Sequence, residues 1–203
     1  MITTIMFDIG GVLLDMRPIL EKAAEFYGVK GEGKPEFWKI INMESLPACR
    51  GEMSGTEFLK KLNERMGKDV NLDLLKAIFV WNYAEMVKVN ESVKEIALEL
   101  KKNYKIVALT NAIQKHKDIV VQQGWFDFLE GIIASVDAKM TKDNPEFFKF
   151  ALDKLNLKPE EVLFIDDIQA FVDIAKSLGM NAVLFENSEK LKEDLKGFGV
   201  ELD

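Results

Sequence analysis

From about residue 90 onward, short apolar runs alternate with amphipathic stretches. This alternation narrows the possible folds more than any other feature of the chain. KIVALTN, GIIASV, EVLFIDD and NAVLFE read as strands, and ITTIMFDI at the start supplies one more. Their near-continuous apolar character suits strands covered on both faces. Between them, SVKEIALELKKN places Val93, Ile96, Ala97 and Leu100 on one helical face. AIQKHKDIVVQQG reads as a helix stopped by Gly124, and NPEFFKFALDKLN as one opened by Pro145, where a missing N–H costs nothing. IQAFVDIAKSLG, with Phe171, Ile174, Ala175 and Leu178 in register, and SEKLKEDLKGFG complete the series. The pattern predicts an α/β fold: a Rossmann-like, three-layer parallel sheet with helices on both faces.

Residues 16–88 break the alternation. AAEFY, EFWKIINM, TEFLKKLNERM and LDLLKAIFVWNYAEM all carry helical patterning and no convincing strand, and Ser54-Gly55-Thr56-Glu57 is a capping-box start. The expected organisation is an α/β core of residues 1–15 and 89–203, interrupted by a helical domain of residues 16–88. Phe37, Trp38, Trp81 and Tyr83 are expected in the core of that insert.

The 203 residues carry a net charge of −7, which argues against a nucleic-acid partner, since phosphates need a basic face. No apolar run reaches the ~20 residues of a membrane span. The start has neither the basic flank nor the uninterrupted apolar run of a signal peptide. One cysteine, Cys49, excludes an internal disulfide framework and fits a reducing, cytoplasmic setting. A monomer or homodimer is expected.

The chemistry sits at the strand ends. The first strand ends in Asp8, followed by Gly10 and Gly11. KIVALTN ends in Thr110 and Asn111, the loop after GIIASV carries Lys142, and EVLFIDD ends in Asp166 and Asp167. A parallel sheet gathers these groups on one edge, where such sheets bind ligands. Three carboxylates on one edge repel unless a divalent cation joins them, and Mg²⁺ takes carboxylate and phosphate oxygens. A carboxylate can itself attack phosphorus, giving an acyl phosphate. Thr110, Lys142 and backbone N–H groups supply contacts for phosphate oxygens. Gly10 and Gly11 let the backbone turn and approach a ligand closely.

The same residues resemble the motifs of the haloacid dehalogenase-like (HAD) superfamily, in order and over nearly the full chain. FDIGGVLLD looks like the first motif, ALTN the second, TKDNPEFFKFAL the third and LFIDDIQAFVDIAKSLGM the fourth. The insert looks like that family's helical cap, and the DxGG-type first motif is similar to a subgroup that includes sugar-phosphate phosphatases. The resemblance implies an Mg²⁺-dependent phosphatase acting on a small phosphorylated metabolite, such as a sugar phosphate or nucleotide. It implies Asp8 as nucleophile, and Mg²⁺ held by Asp8, the Gly10 carbonyl and Asp167, with Asp166 ligating or just behind. Thr110, Asn111 and Lys142 would hold the phosphoryl group.

Three positions depart from the family pattern. Gly10 stands where phosphatases carry a second Asp as general acid/base. Asp143 follows Lys142 where Pro is usual, and Phe171 stands where Asp or Asn would support the metal or the lysine. Asp15 lies close by but beyond Val12-Leu13-Leu14, and is not taken as the missing acid. Two alternatives follow: a metal-free 2-haloacid dehalogenase, and a non-catalytic binder of phosphorylated metabolites. Gly11 and, from the insert, Arg50 complete the candidate substrate contacts. His116, the one histidine, is read as a surface helix residue, and Cys49 as inert packing.

Overall fold

The computed structural model describes residues 1–202. β1 (Thr4–Phe7) is wholly buried and leads through a tight turn into β2 (Leu14–Asp15). Five helices follow: α1 (Arg17–Tyr27), α2 (Lys34–Cys49), α3 (Gly55–Met66), α4 (Leu72–Lys76) and, after a π-helical turn at Ala77–Trp81, α5 (Tyr83–Met86). β3 (Lys88–Val89) then pairs antiparallel with β2, Leu14 opposite Val89. The alternating part continues with α6 (Glu91–Leu100), β4 (Lys105–Thr110), α7 (Gln114–Gln123), β5 (Ile132–Ala134) and the short α8 (Ser135–Ala138). It ends with α9 (Pro145–Leu155), β6 (Val162–Asp166), α10 (Gln169–Ser177), β7 (Asn181–Leu184) and α11 (Ser188–Gly197).

The main sheet has the order β5-β4-β1-β6-β7, and every pairing in it is parallel. Successive strand side chains alternate faces, so the sheet splits the interior in two. Ile5, Phe7, Ile106, Ala108, Leu163 and Ile165 share one core with Val93 and Leu100 of α6 and Leu191 and Leu195 of α11. Met6, Val107, Leu109 and Phe164 share the other with Phe147, Phe148 and Ala151 of α9 and Val172 and Ala175 of α10. Each such large apolar side chain contributes about 1.5–3 kcal/mol on burial. The result is three layers, as the alternation of the sequence requires.

The inserted helices extend the first core, since Ile19, Phe37, Leu59, Leu62 and Phe79 pack into the same cluster. The Ser54–Glu57 capping box opens α3 as expected, Pro145 opens α9, and Gly124 closes α7 in the left-handed conformation with φ of 63°.

Four sequence expectations need correction. Residues 16–88 are not free of strand, because Lys88 belongs to the ladder that ties the two ends of the insert together. The last helical stretch of the insert is three pieces rather than one. GIIASV is strand only to Ala134, since Ser135 starts α8. Trp81 is 59% exposed, whereas Phe37 and Tyr83 are buried and Trp38 is partly buried. Among the described residues, no helix is long and apolar enough to cross a membrane.

Candidate active site

β1 is the switch point of the sheet: the chain builds β4 and β5 on one side of it, then β6 and β7 on the other. Ligands of open α/β sheets bind beyond such a point, at the carboxyl ends of the strands. The register sets the groups there. Phe7 pairs with both Ala108 and Ile165, so the next step along brings Asp8 beside Asp166 at the end of β6. The Asp8 N–H donates to the Ile165 carbonyl at 2.8 Å and fixes that level. Thr110 ends β4 and is buried.

Lys142 joins the two inner carboxylates. Its ammonium lies 2.9 Å from Asp8 Oδ1 and 2.5 Å from Asp166 Oδ2, and its side chain is 1% exposed. Burial disfavours the charge on Lys142, but Asp166 and Asp8 outweigh that and hold it above the usual lysine range. Its backbone N–H donates to Asn111 Oδ1 at 3.0 Å, so the amide after Thr110 positions the lysine loop. Phe171, the departure in the fourth motif, places its ring centroid 5.2 Å from Lys142 Nζ. An aromatic face therefore supports the ammonium where a polar side chain was expected. Asp143 is exposed, and the ion pairs of Lys142 are to Asp8 and Asp166.

Asp8, Asp166 and Asp167 offer carboxylate oxygens that all lie within 4.8 Å of one another. Asp8 and Asp166 are buried and Asp167 is exposed at the rim. Burial raises Asp166 against the pull of Lys142, with Asp8 and Asp167 adding to the rise. Asp167, though open to solvent on its outer side, is also raised, by lost hydration on its inner side and then by the Asp8 charge. Three carboxylates against one ammonium leave two negative charges in excess. That surplus on hard oxygen donors fits a divalent cation such as Mg²⁺. The Asp8 contacts to the Ile9 N–H and to Lys142 both fall on Oδ1, which leaves Oδ2 for a further partner.

The turn after Asp8 is held tightly. Gly11 N–H donates to the Leu14 carbonyl at 2.8 Å, and Leu14 N–H to the Ile9 carbonyl at 2.7 Å. Gly11 has φ of 92°, and a Cβ there would sit 2.2 Å from Asp167 Oδ2. Only glycine lets this turn and Asp167 occupy neighbouring space.

The insert reaches the site at two places. Arg50 donates through Nη1 to Thr141 Oγ1 at 3.1 Å, one residue before Lys142, while Glu52 takes its Nε and Nη2. Beside it, Ser135 Oγ donates to the Cys49 carbonyl at 2.8 Å and accepts from Ala112 N–H at 3.0 Å. The Cys49 thiol is buried and pushed up to about 11, consistent with packing. At the second place, the Tyr83 ring stacks on His116 with centroids 3.9 Å apart, and His116 Nε2 donates to the Phe79 carbonyl at 2.6 Å. His116 is therefore a partly buried residue of α7 rather than a free surface one, with the insert packed against its ring.

Sequence patterning missed Ser135, which meets Cys49 and Ala112 only across long separations, and it placed Tyr83 in the core of the insert without its contact to His116. Burial pushes His116 down to about 4. A group depressed on folding contributes stability in full above its ordinary 6.5, and loses it as pH falls through about 4. Thermal unfolding of the wild type is thus expected to lose more stability between those limits than His116→Phe. Parallel pH profiles would contradict the buried neutral ring.

A model of the haloacid dehalogenase-like hydrolase family matches residues 2–179. The D-ribitol-5-phosphate phosphatase of Bacteroides thetaiotaomicron is 24% identical over 96% of this chain and 97% of its own length. A phosphorylated carbohydrates phosphatase of Thermotoga maritima is 25% identical over 88% of this chain and 82% of its own. The fold also superposes, with a TM-score of 0.65 and 24% identity, on a HAD family enzyme of Bacteroides thetaiotaomicron crystallised with magnesium and inorganic phosphate; the match covers 92% of this chain and 95% of that one. With a family match across most of its length, the chain belongs to the haloacid dehalogenase-like hydrolases.

Proposed function

We propose that the protein is an Mg²⁺-dependent phosphatase of a small phosphate monoester, a sugar phosphate or a nucleotide, working through Asp8. The observation that carries this reading is the buried Lys142 bridging Asp8 and Asp166 beside Asp167, with two negative charges in excess. Asp8, Asp166, Asp167 and the Gly10 carbonyl would hold the cation. Bound there, Mg²⁺ offsets the repulsion between a carboxylate nucleophile and a phosphate anion.

The chain's own groups do the rest. Asp8 attacks phosphorus, and Lys142 orients it and takes up charge on the phosphoryl oxygens. Thr110 and Asn111 hold further oxygens from the end of β4. Helices 16–88 act as a cap over the core of residues 1–15 and 89–203, and Arg50 reaches the substrate from that cap. The likeness to a ribitol-phosphate and a carbohydrate-phosphate phosphatase supports a small phosphorylated metabolite.

Steady-state phosphate release across a panel of phosphate monoesters, in Mg²⁺ and in EDTA, tests the reading. Turnover in Mg²⁺ that EDTA lowers by about 10²-fold or more is expected, in line with several kcal/mol of charge stabilisation. Halide release from 2-haloacids in EDTA, without phosphate release, would replace the reading with dehalogenation. Neither activity, with retained binding of phosphate esters, would leave a binder.

A further inference from the structure

Gly10 offers no carboxylate to hand a proton to a departing alcohol, so the groups around it are the candidates for that role. A cavity of about 70 Å³ opens beside the site, and its walls include Gly10, Met16, Tyr83, Thr110, Asn111 and His116. A Cβ on Gly10 would point at the Met16 side chain, 3.6 Å from Cγ and 3.9 Å from Sδ. Tyr83 Oη donates to that same Met16 Sδ at 3.6 Å. The absent carboxylate, the methionine sulfur and the phenol therefore share one small space. Thioether sulfur is a weak acceptor, so this phenol gives up little in turning to a better one.

Resting on the phosphatase reading, we propose that the Tyr83 hydroxyl, delivered by the insert, donates to the leaving-group oxygen in place of the carboxylate that Gly10 lacks. The rivals are engaged elsewhere. Asp15 is held by Arg17 through Nε at 2.8 Å and Nη2 at 2.7 Å. His116 Nε2 is committed to the Phe79 carbonyl, and its ring backs the Tyr83 ring and sets its plane. Burial first, and the Asp8 charge second, keep the phenol protonated well above the usual tyrosine range.

The protons balance over two steps. As the bond from Asp8 to phosphorus forms, the bond from phosphorus to the alcohol oxygen breaks. That oxygen keeps the electron pair and takes the Tyr83 proton. Water then attacks phosphorus and gives its proton to the Tyr83 phenolate, and Asp8 leaves as carboxylate. The products are the alcohol and phosphate, with Tyr83 and Asp8 restored.

Tyr83→Phe keeps the ring, its burial and its stack, and removes only the donor. The test is kcat/KM in Mg²⁺ for 4-nitrophenyl phosphate, whose leaving group needs no proton, and for a short alkyl phosphate, whose leaving group does. Tyr83→Phe is expected to lose about 10²-fold or more on the alkyl ester and less than about 10-fold on the aryl ester. Adding Gly10→Asp to Tyr83→Phe should restore part of the alkyl activity. An equal fall on both esters, or no fall on either, overturns the role of Tyr83 while the phosphatase reading stands. Should Tyr83→Phe fail to fold, Gly10→Asp alone decides: a gain on the alkyl ester of about 10²-fold or more would show that the wild type has no working donor, and no gain would support one. A wild type that releases no phosphate from either ester sinks both.

Discussion

Asp8→Asn is expected to lower Mg²⁺-dependent phosphate release by on the order of 10³–10⁶-fold, the range for removing an attacking group that works as part of a unit. The substitution keeps the shape of the side chain and removes its nucleophilic oxygen. The fold should survive it. Asn accepts hydrogen bonds at its remaining oxygen, and Lys142 keeps Asp166 at 2.5 Å. One of three crowded carboxylates is also gone, which relieves repulsion in the metal-free protein. Thermal unfolding in EDTA should therefore give a midpoint no lower than that of the wild type. Phosphate release assayed beside it separates chemistry from stability. Residual activity within about tenfold of the wild type would place the nucleophile elsewhere.

Gly11→Ala is expected to be the most damaging change of a single carbon atom. The new Cβ would lie 2.2 Å from Asp167 Oδ2 and 2.5 Å from its Cγ, so the carboxylate has to leave its place. The backbone stands at φ of 92°, a conformation costing a non-glycine residue about 1–3 kcal/mol. Displacing one carboxylate of the trio should raise the Mg²⁺ concentration for half-maximal activity by on the order of 10–100-fold, the scale seen when a ligand loses its support. Gly10→Ala is the control: its Cβ meets only Met16, at ordinary contact distance, and Mg²⁺ dependence should hardly change. Mg²⁺ titrations of phosphate release measure both. Wild-type Mg²⁺ dependence in Gly11→Ala would take Asp167 out of the metal site.

Much of this arrangement is legible in the sequence because the sheet is legible. Buried parallel strands must be apolar almost throughout, so a carboxylate at the end of ITTIMFD or EVLFIDD is an anomaly with a location. Once both strands lie in one parallel sheet, Asp8 and Asp166 share one edge, and the adjacency of β1 and β6 makes them neighbours. The register, with Phe7 opposite Ile165, realises that. The capping box at Ser54 and the glycine stop at Gly124 read directly as well, since both act through neighbours in the chain.

What resists reading is contact across long sequence separation. KHKD is locally polar, yet His116 is covered by Tyr83 and Phe79 from the insert. Trp81 looks like a core residue by composition and is exposed, because the π-helical turn in which it lies buries Ile78 and Phe79 instead. The β2–β3 ladder has two residues a side, too short to leave a periodic signal. Phe171 breaks the fourth motif, and only its distance to Lys142 shows what it does.

In the proposed reaction Asp8 takes the phosphoryl group. The most direct test is rapid acid quench of the wild-type enzyme turning over 4-nitrophenyl phosphate in Mg²⁺, followed by peptide mass spectrometry. A phosphoryl group is expected on the peptide carrying Asp8, formed and lost within the turnover time and missing in Asp8→Asn. Turnover with no covalent phosphate at any time, or with phosphate on another residue, would contradict it.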